Sequence, residues 1–401
     1  MIRRELLYFV LFVLEICDEV NGGCNLSLKD DFGSPSPVHL KNGDFLAPNS
    51  TGAILLRRSE TLQIACPGTK RVVVLGNETT AFDIFDVKCV KDSVFRASKG
   101  SWVGNLKEIK CSGPPWFSAE EAGSCTGGHV LYRVGYKIAD IFHALYEACF
   151  DKYLIHTLYV KHTLKPNSLH IQVGERRPQF IAGDVFGKVK MSQLYAMKYQ
   201  LQRLGKVLGD GTETQYITKN QFLNRGHLAP RADFPLHAEQ RASFHYVNTA
   251  PQWRRGNAGD WAALEDALRR RVNAYGSPVT VYTGTYGVTT LADKNSIPKD
   301  FFLEVDANNN DIVPVPLYFY KVVYDPVKHT SATFISINSS YYNTTMLSKL
   351  SFCEDICESN PKYSWLRWRS NDGTHSFCCT YEDFVKKINI LPKLNVKGLF
   401  F

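Results

Sequence analysis

The sequence predicts an α+β fold, with a disulfide-rich, mainly-β unit ahead of a larger mixed domain. Three observations carry this expectation. Short strand-like runs crowd the first third, strands and helices then follow without strict alternation, and the cysteines fall into an early and a late group. Regular strand–helix–strand alternation would instead read as a doubly wound parallel sheet. At 401 residues the chain has room for two domains. Its 44% hydrophobic and 21% charged residues exclude a disordered, collagen-like or coiled-coil protein.

The first residues bear on the compartment. Met1-Ile2-Arg3-Arg4 is a short basic segment, and Leu6 to Leu14 follows with Tyr8 as its one polar side chain. Such a run is too short for a membrane-spanning helix, which needs roughly 20 residues, but it suits the apolar part of a secretory signal. Val20-Asn21-Gly22 offers modest residues for cleavage, so residues 1–22 are read as a signal peptide and the mature protein as secreted. No later segment is apolar and long enough to suggest a membrane. Losing two basic and four acidic residues with the signal changes the formal charge from +8 to +10. That excess is compatible with a polyanionic partner.

Cysteine usage fits the same compartment. Setting Cys17 aside leaves Cys24, Cys66, Cys89, Cys111, Cys125 and Cys149 early, and Cys353, Cys357, Cys378 and Cys379 late. Each group can close on itself, with the pairings left open. Zinc is the competing reading of the late group, but adjacent cysteines are poor ligands for one tetrahedral ion and secreted thiols oxidise. Asn25, Asn49, Asn77, Asn338 and Asn343 begin N-x-Ser/Thr sequons.

In chain order, residues 23–150 form the expected accessory unit, with strands at Ala53–Leu56, Leu62–Ala65 and Arg71–Leu75 bounded by turn residues. A helix is expected over Ile138–Phe150, where Ile141, Leu145 and Cys149 share helical spacing. Residues 151–401 form the second domain, ending in a disulfide-bonded segment. Strands are expected at Thr157–Lys161, Val279–Tyr282, Leu317–Tyr324 and Ser331–Asn338, and a helix over Val189–Gly205.

Chemistry-bearing residues concentrate in one stretch: Asn224-Arg225-Gly226-His227, then Asn248-Thr249-Ala250-Pro251-Gln252, then Asn257-Ala258-Gly259-Asp260-Trp261, then Glu265 and Arg269. At about 100° per residue, Trp261, Leu264, Leu268 and Val272 make one apolar helical stripe, with Glu265 and Arg269 at its edge. Those two are four residues apart, so they can pair as an ordinary surface ion pair or line a cleft. Asn257, preceding helix formers, also suits an N-cap, and Asn248 suits a turn before Pro251.

This block resembles the active site of the DNA/RNA non-specific endonucleases, the ββα-metal nucleases, and within them the secreted arthropod enzymes such as crustacean double-strand-preferring nucleases and insect double-stranded RNA nucleases. The likeness is specific from about Gln221 to Val272. It implies a nuclease domain with a central antiparallel sheet flanked by helices, acting on DNA, RNA or both through Mg²⁺, with Mn²⁺ able to substitute. His227 would be the general base that activates water, Asn257 the direct metal ligand, and Glu265 a second contact to the ion through water. Arg225 and Arg269 would neutralise charge on the phosphate, with Arg177 of Arg176-Arg177-Pro178 as a further phosphate contact. Asn248 would orient His227 or the water. The resemblance implies 5′-phosphate products with little sequence preference. Asn224 departs from the Asp often found before Arg-Gly-His. A nucleic-acid-binding protein with little turnover is the alternative, and the sequence leaves the oligomeric state open.

Overall fold

The computed structural model describes residues 22–369 and 375–401; the signal-peptide assignment therefore lies almost wholly outside the described residues. The frame is a sheet of nine strands. Ser118–Ser124, Val130–Ile138, Ile141–Asp151, His156–Leu164, Val279–Tyr286, Tyr318–Asp325, Thr330–Ile337 and His375–Cys379 lie side by side in that order, and Gly398–Leu399 joins Thr330–Ile337. All pairings are antiparallel except the last, short one. The expected strands after residue 151 are all present, because their β-branched and aromatic residues can fill both faces of the sheet.

Both faces are covered. On one, Val160, Val281, Phe319, Val323 and Phe334 pack against Trp261, Leu264, Leu268 and Val272 of the long helix Asp260–Tyr275. These four helix residues are at most 2% exposed, which is the stripe read from their spacing. On the other, Tyr159, Tyr282, Tyr320 and Ile335 pack against Phe384 of the helix Tyr381–Lys387. The mixed, layered arrangement is α+β.

One expected helix is a hairpin. Ile138–Phe150 contains the end of one strand, a tight turn with Ala139 at φ 50°, and most of the next strand. The helical spacing of Ile141, Leu145 and Cys149 hid a period of two: Tyr146, Ala148 and Phe150 enter the core on one face, while Cys149 faces the other side and bonds Cys125. The helix expected over Val189–Gly205 is present in two pieces, Met191–Leu194 and Met197–Leu208.

Ahead of this sheet stands a six-stranded sheet, with smaller two- and three-stranded sheets, around its own core of Leu26, Ile54, Leu62, Val87 and Phe95. Disulfides Cys24–Cys89 and Cys66–Cys111 staple it. The late cysteines pair as Cys353–Cys379 and Cys357–Cys378, so neither group crosses to the other. The boundary expected at residue 150 falls inside the strand Ile141–Asp151, the third of the large sheet. We therefore propose that the division lies between Cys111 and Ser118.

Of the five sequons, Asn338 is unsuited to carry a glycan in the folded protein. It is 5% exposed, donates to the carbonyls of Pro251 and Pro316, and accepts from the Trp253 amide at 3.0 Å. Asn25, Asn49, Asn77 and Asn343 are exposed.

Candidate active site

Two short strands, Leu223–His227 and Thr249–Trp253, form a separate antiparallel ribbon that leads into the helix Asp260–Tyr275. Alternation along the first strand puts Arg225 and His227 on one side and Gly226 on the other. A β-carbon on Gly226 would lie 2.4 Å from Gln252 Oε1 and 2.8 Å from Gln252 Cβ, so any larger residue would push the strands apart. This close approach is why glycine separates the two functional side chains.

His227 lies between aromatic rings, its centroid 5.1 Å from that of Phe180 and 5.1 Å from that of Phe244. Its Nε2 is buried and has no hydrogen-bond partner. The residue forms part of the wall of a cavity of about 310 Å³, together with Glu265, Arg177, Arg231 and Glu175. Burial, then the nearby charges of Arg177 and Arg231, depress its pKa from 6.5 to about 3. The imidazole is therefore neutral, with a lone pair available, well into the acid range. Glu265 is pushed the other way. Burial raises it to about 7, against the lowering influence of Lys321 and Arg269 and a hydrogen bond from Trp261.

Under this cavity lies a set of buried charges that no sequence motif marks. Asp233 is 5% exposed and accepts from Arg269 Nη1 at 3.0 Å, while its other oxygen meets His162 Nε2 at 2.8 Å. Lys321, buried in the middle of the sheet, donates to Thr283 Oγ1 at 2.6 Å and lies over the Trp261 ring. Arg269 thus pairs with Asp233, and more distantly with Asp266 at 3.6 Å, instead of with Glu265 as its spacing allowed.

The cavity brings together three of the residues singled out from the sequence, His227, Glu265 and Arg177, and adds Arg231. Arg225, Asn248, Asn257 and Arg269 do not line it. Arg225 is held in a box of aromatic rings, its guanidinium 5.0 Å from the Tyr195 centroid, 5.5 Å from Phe180 and 5.7 Å from Tyr246. Asn248 is fully buried and spends its carboxamide on backbone: Oδ1 accepts from the Ala229 amide at 2.7 Å, and Nδ2 donates to the carbonyls of Ala229 and Ser243. It fixes the loop just past His227. Asn257 is half-buried inside the short helix Arg254–Ala258, while Gly259 occupies the N-cap position of the long helix. The N-cap reading of Asn257 therefore fails. Arg231 escaped the sequence reading, although a basic residue four places after the motif histidine was the available signal. Its Nε donates to Gln240 Oε1 at 2.9 Å, which aims it along the cavity wall.

A ββα frame brings an imidazole, two carboxyl groups and two guanidinia around one cavity, and the guanidinium forks suit an anionic substrate. The sequence model of the family described as DNA/RNA non-specific endonuclease matches residues 127–384, and the chain belongs to that family. A salivary endonuclease of Lutzomyia longipalpis is 30% identical over 380 residues, covering 92% of this chain and 85% of its own. The salivary protein Tsal2A of Glossina morsitans morsitans is 25% identical over 400 residues, with 95% of each chain covered. A salivary endonuclease of Culex quinquefasciatus is 24% identical over 294 residues, with 72% and 74% covered.

Proposed function

We propose that this protein is a secreted, Mg²⁺-dependent endonuclease that hydrolyses phosphodiester bonds of DNA, RNA or both with little sequence preference. The observation that carries the reading is the neutral imidazole of His227 on the wall of a cavity shared with Glu265 and two arginines. Family membership and the names of the salivary relatives from Lutzomyia and Culex support it. The paired disulfide groups and those same relatives support an extracellular setting.

In this mechanism the neutral imidazole of His227 takes a proton from water as the water oxygen bonds to phosphorus. The bond from phosphorus to the 3′-oxygen breaks, leaving a 5′-phosphate; the departing 3′-oxyanion takes a proton from solvent to become the 3′-hydroxyl, and the imidazolium returns its own proton to solvent. Arg177 and Arg231 offer their forks to the non-bridging oxygens, where charge gathers in the transition state. Their charges depress the basicity of His227 in the free protein. The single negative charge of a bound phosphodiester offsets part of that positive charge and makes the imidazole a stronger base when water is in place. Arg269, anchored on Asp233, acts on the site through its charge beside Glu265. Arg225 stiffens the strand through its aromatic box, and Asn248 fixes the loop that follows His227.

The donor chemistry fits a hard divalent cation. Glu265 is a carboxylate driven toward its neutral form by burial, and Asn257 adds a carboxamide oxygen nearby in sequence. Asn257 directly and Glu265 through water would hold Mg²⁺. When bound, the ion supplies positive charge against the phosphate oxygens.

Plasmid DNA and double- and single-stranded RNA incubated with the mature protein should be degraded in Mg²⁺ and left intact in EDTA. Retarded but undegraded DNA in both conditions would identify a nucleic-acid-binding protein instead. The raised Glu265 adds a pH signature. Below about pH 7 the metal-free carboxyl takes up a proton that must leave before the ion is held. Apparent Mg²⁺ affinity should therefore weaken by up to about tenfold per pH unit below 7. The acid limb of activity should move to lower pH as Mg²⁺ is raised. A limb indifferent to Mg²⁺ concentration would assign it to another group.

A further inference from the structure

A second cavity, of about 320 Å³, lies in the seam between the N-terminal unit and the large domain. Ser34 and Pro115 form one wall, while Arg176 and the helix residues His237 and Arg241 form the other. Gly174 and Glu175 line both this cavity and the one at His227, so the two are neighbours across a single stretch of chain. Among the described residues, Arg176 and Arg241 have no carboxylate partner within ion-pair distance. His237 Nε2 is buried and unpartnered. Glu175, the one acid in the wall, is already engaged: Ser34 Oγ donates to its Oε1 at 3.1 Å, and His237 Nδ1 lies 3.7 Å away.

We propose that this seam is a second phosphate subsite, binding a phosphate of the same polynucleotide strand whose scissile phosphate lies against His227. Two guanidinium forks match the oxygens of a phosphodiester. The inference rests on the endonuclease reading and extends it: the N-terminal unit, which lies outside the family match, supplies a wall of the substrate path and so favours polymers over short esters. Contacts of this kind hold the backbone and carry no base information.

The test uses the full mature chain with Arg176→Gln and Arg241→Gln, which alter two separate chain segments of the same wall, the stretch after Glu175 and the helix His237–Ala242. Each should raise KM several-fold on long DNA or RNA, leave kcat unchanged, and flatten the dependence of binding on salt by about one unit of log slope. Hydrolysis of a minimal ester with one scissile phosphate, the p-nitrophenyl ester of thymidine 5′-phosphate, should be unaffected. A dodecanucleotide binding assay by fluorescence anisotropy in EDTA should show the same several-fold weakening, and Arg241→Lys should recover part of it. Unchanged KM and affinity in both variants would overturn the subsite. So would an equal loss on polymer and minimal ester, which marks a general structural defect. If the unaltered protein cleaves nothing, the endonuclease reading fails, and the anisotropy comparison still decides whether the seam binds a strand.

Discussion

His227→Ala should lower phosphodiester cleavage by roughly 10²- to 10⁴-fold, the usual contribution of a positioned general base. The variant should still fold. Nε2 has no hydrogen-bond partner, so its removal orphans no protein group. The lost packing against Phe180 and Phe244 costs about 1–2 kcal/mol by analogy with small core truncations. The deletion also opens directly onto the cavity shared with Glu265 and Arg177. Added imidazole should enter that space and restore part of the activity, a recovery that a merely structural histidine would not show. Plasmid nicking by the purified variant, with and without imidazole, is the measurement. Nicking within tenfold of the unaltered protein would remove His227 from the role of base.

That residue was legible in the sequence because motif and strand geometry reinforce each other. Arg-Gly-His places two functional side chains on one side of a strand, and only glycine fits against Gln252 on the other. The helix that follows was legible for a different reason: its apolar stripe at Trp261, Leu264, Leu268 and Val272 has the period a helix needs and meets one face of a sheet. Periodicity misled at Ile138–Phe150, where short apolar runs satisfy both templates and a two-residue turn decides between them.

The buried charges beneath the site were not legible, because His162, Asp233 and Lys321 lie far apart in the chain and meet through the sheet's register. The one available hint was Lys321 itself. It is a lone cation in the otherwise apolar and aromatic run Tyr318–Tyr324, on the face shared with Phe319 and Val323. A lysine there is costly to bury unless opposite charges await it. Burial and its neighbours Glu265 and Asp233 act on it in opposite directions, and burial prevails. The expected Glu265–Arg269 pair failed for the same reason. Asp233 offers Arg269 a better-buried partner, which leaves Glu265 facing the cavity.

Asp233→Ala should therefore be among the most damaging single changes outside the motif. It leaves Arg269 with only the half-exposed Asp266 at 3.6 Å, and it leaves the wholly buried His162 side chain without its acceptor. Breaking a buried pair by removing one partner costs about 3–5 kcal/mol, which lowers Tm by roughly 4–6 °C in a chain of this size. The sign with pH follows from the carboxyl. Burial alone would raise its pKa, but the His162 hydrogen bond and charge, then Arg269 and Lys321, outweigh burial and hold it below 3.8. Its stabilising effect is therefore complete above about pH 4 and is lost as pH falls through the lower folded value. The Tm gap between the unaltered protein and Asp233→Ala should be constant from pH 5 to 8, in the range where both folded and unfolded carboxyls are ionised, and should narrow below that range. Asp233→Asn retains one acceptor and should lose less stability. Cleavage should also fall in the alanine variant at temperatures where it remains folded, because the guanidinium of Arg269 loses the anchor that sets its direction. A Tm within about 1 °C of the unaltered protein, roughly the shift that 1 kcal/mol gives in a chain of this size, would show that these charges are not coupled as their distances imply.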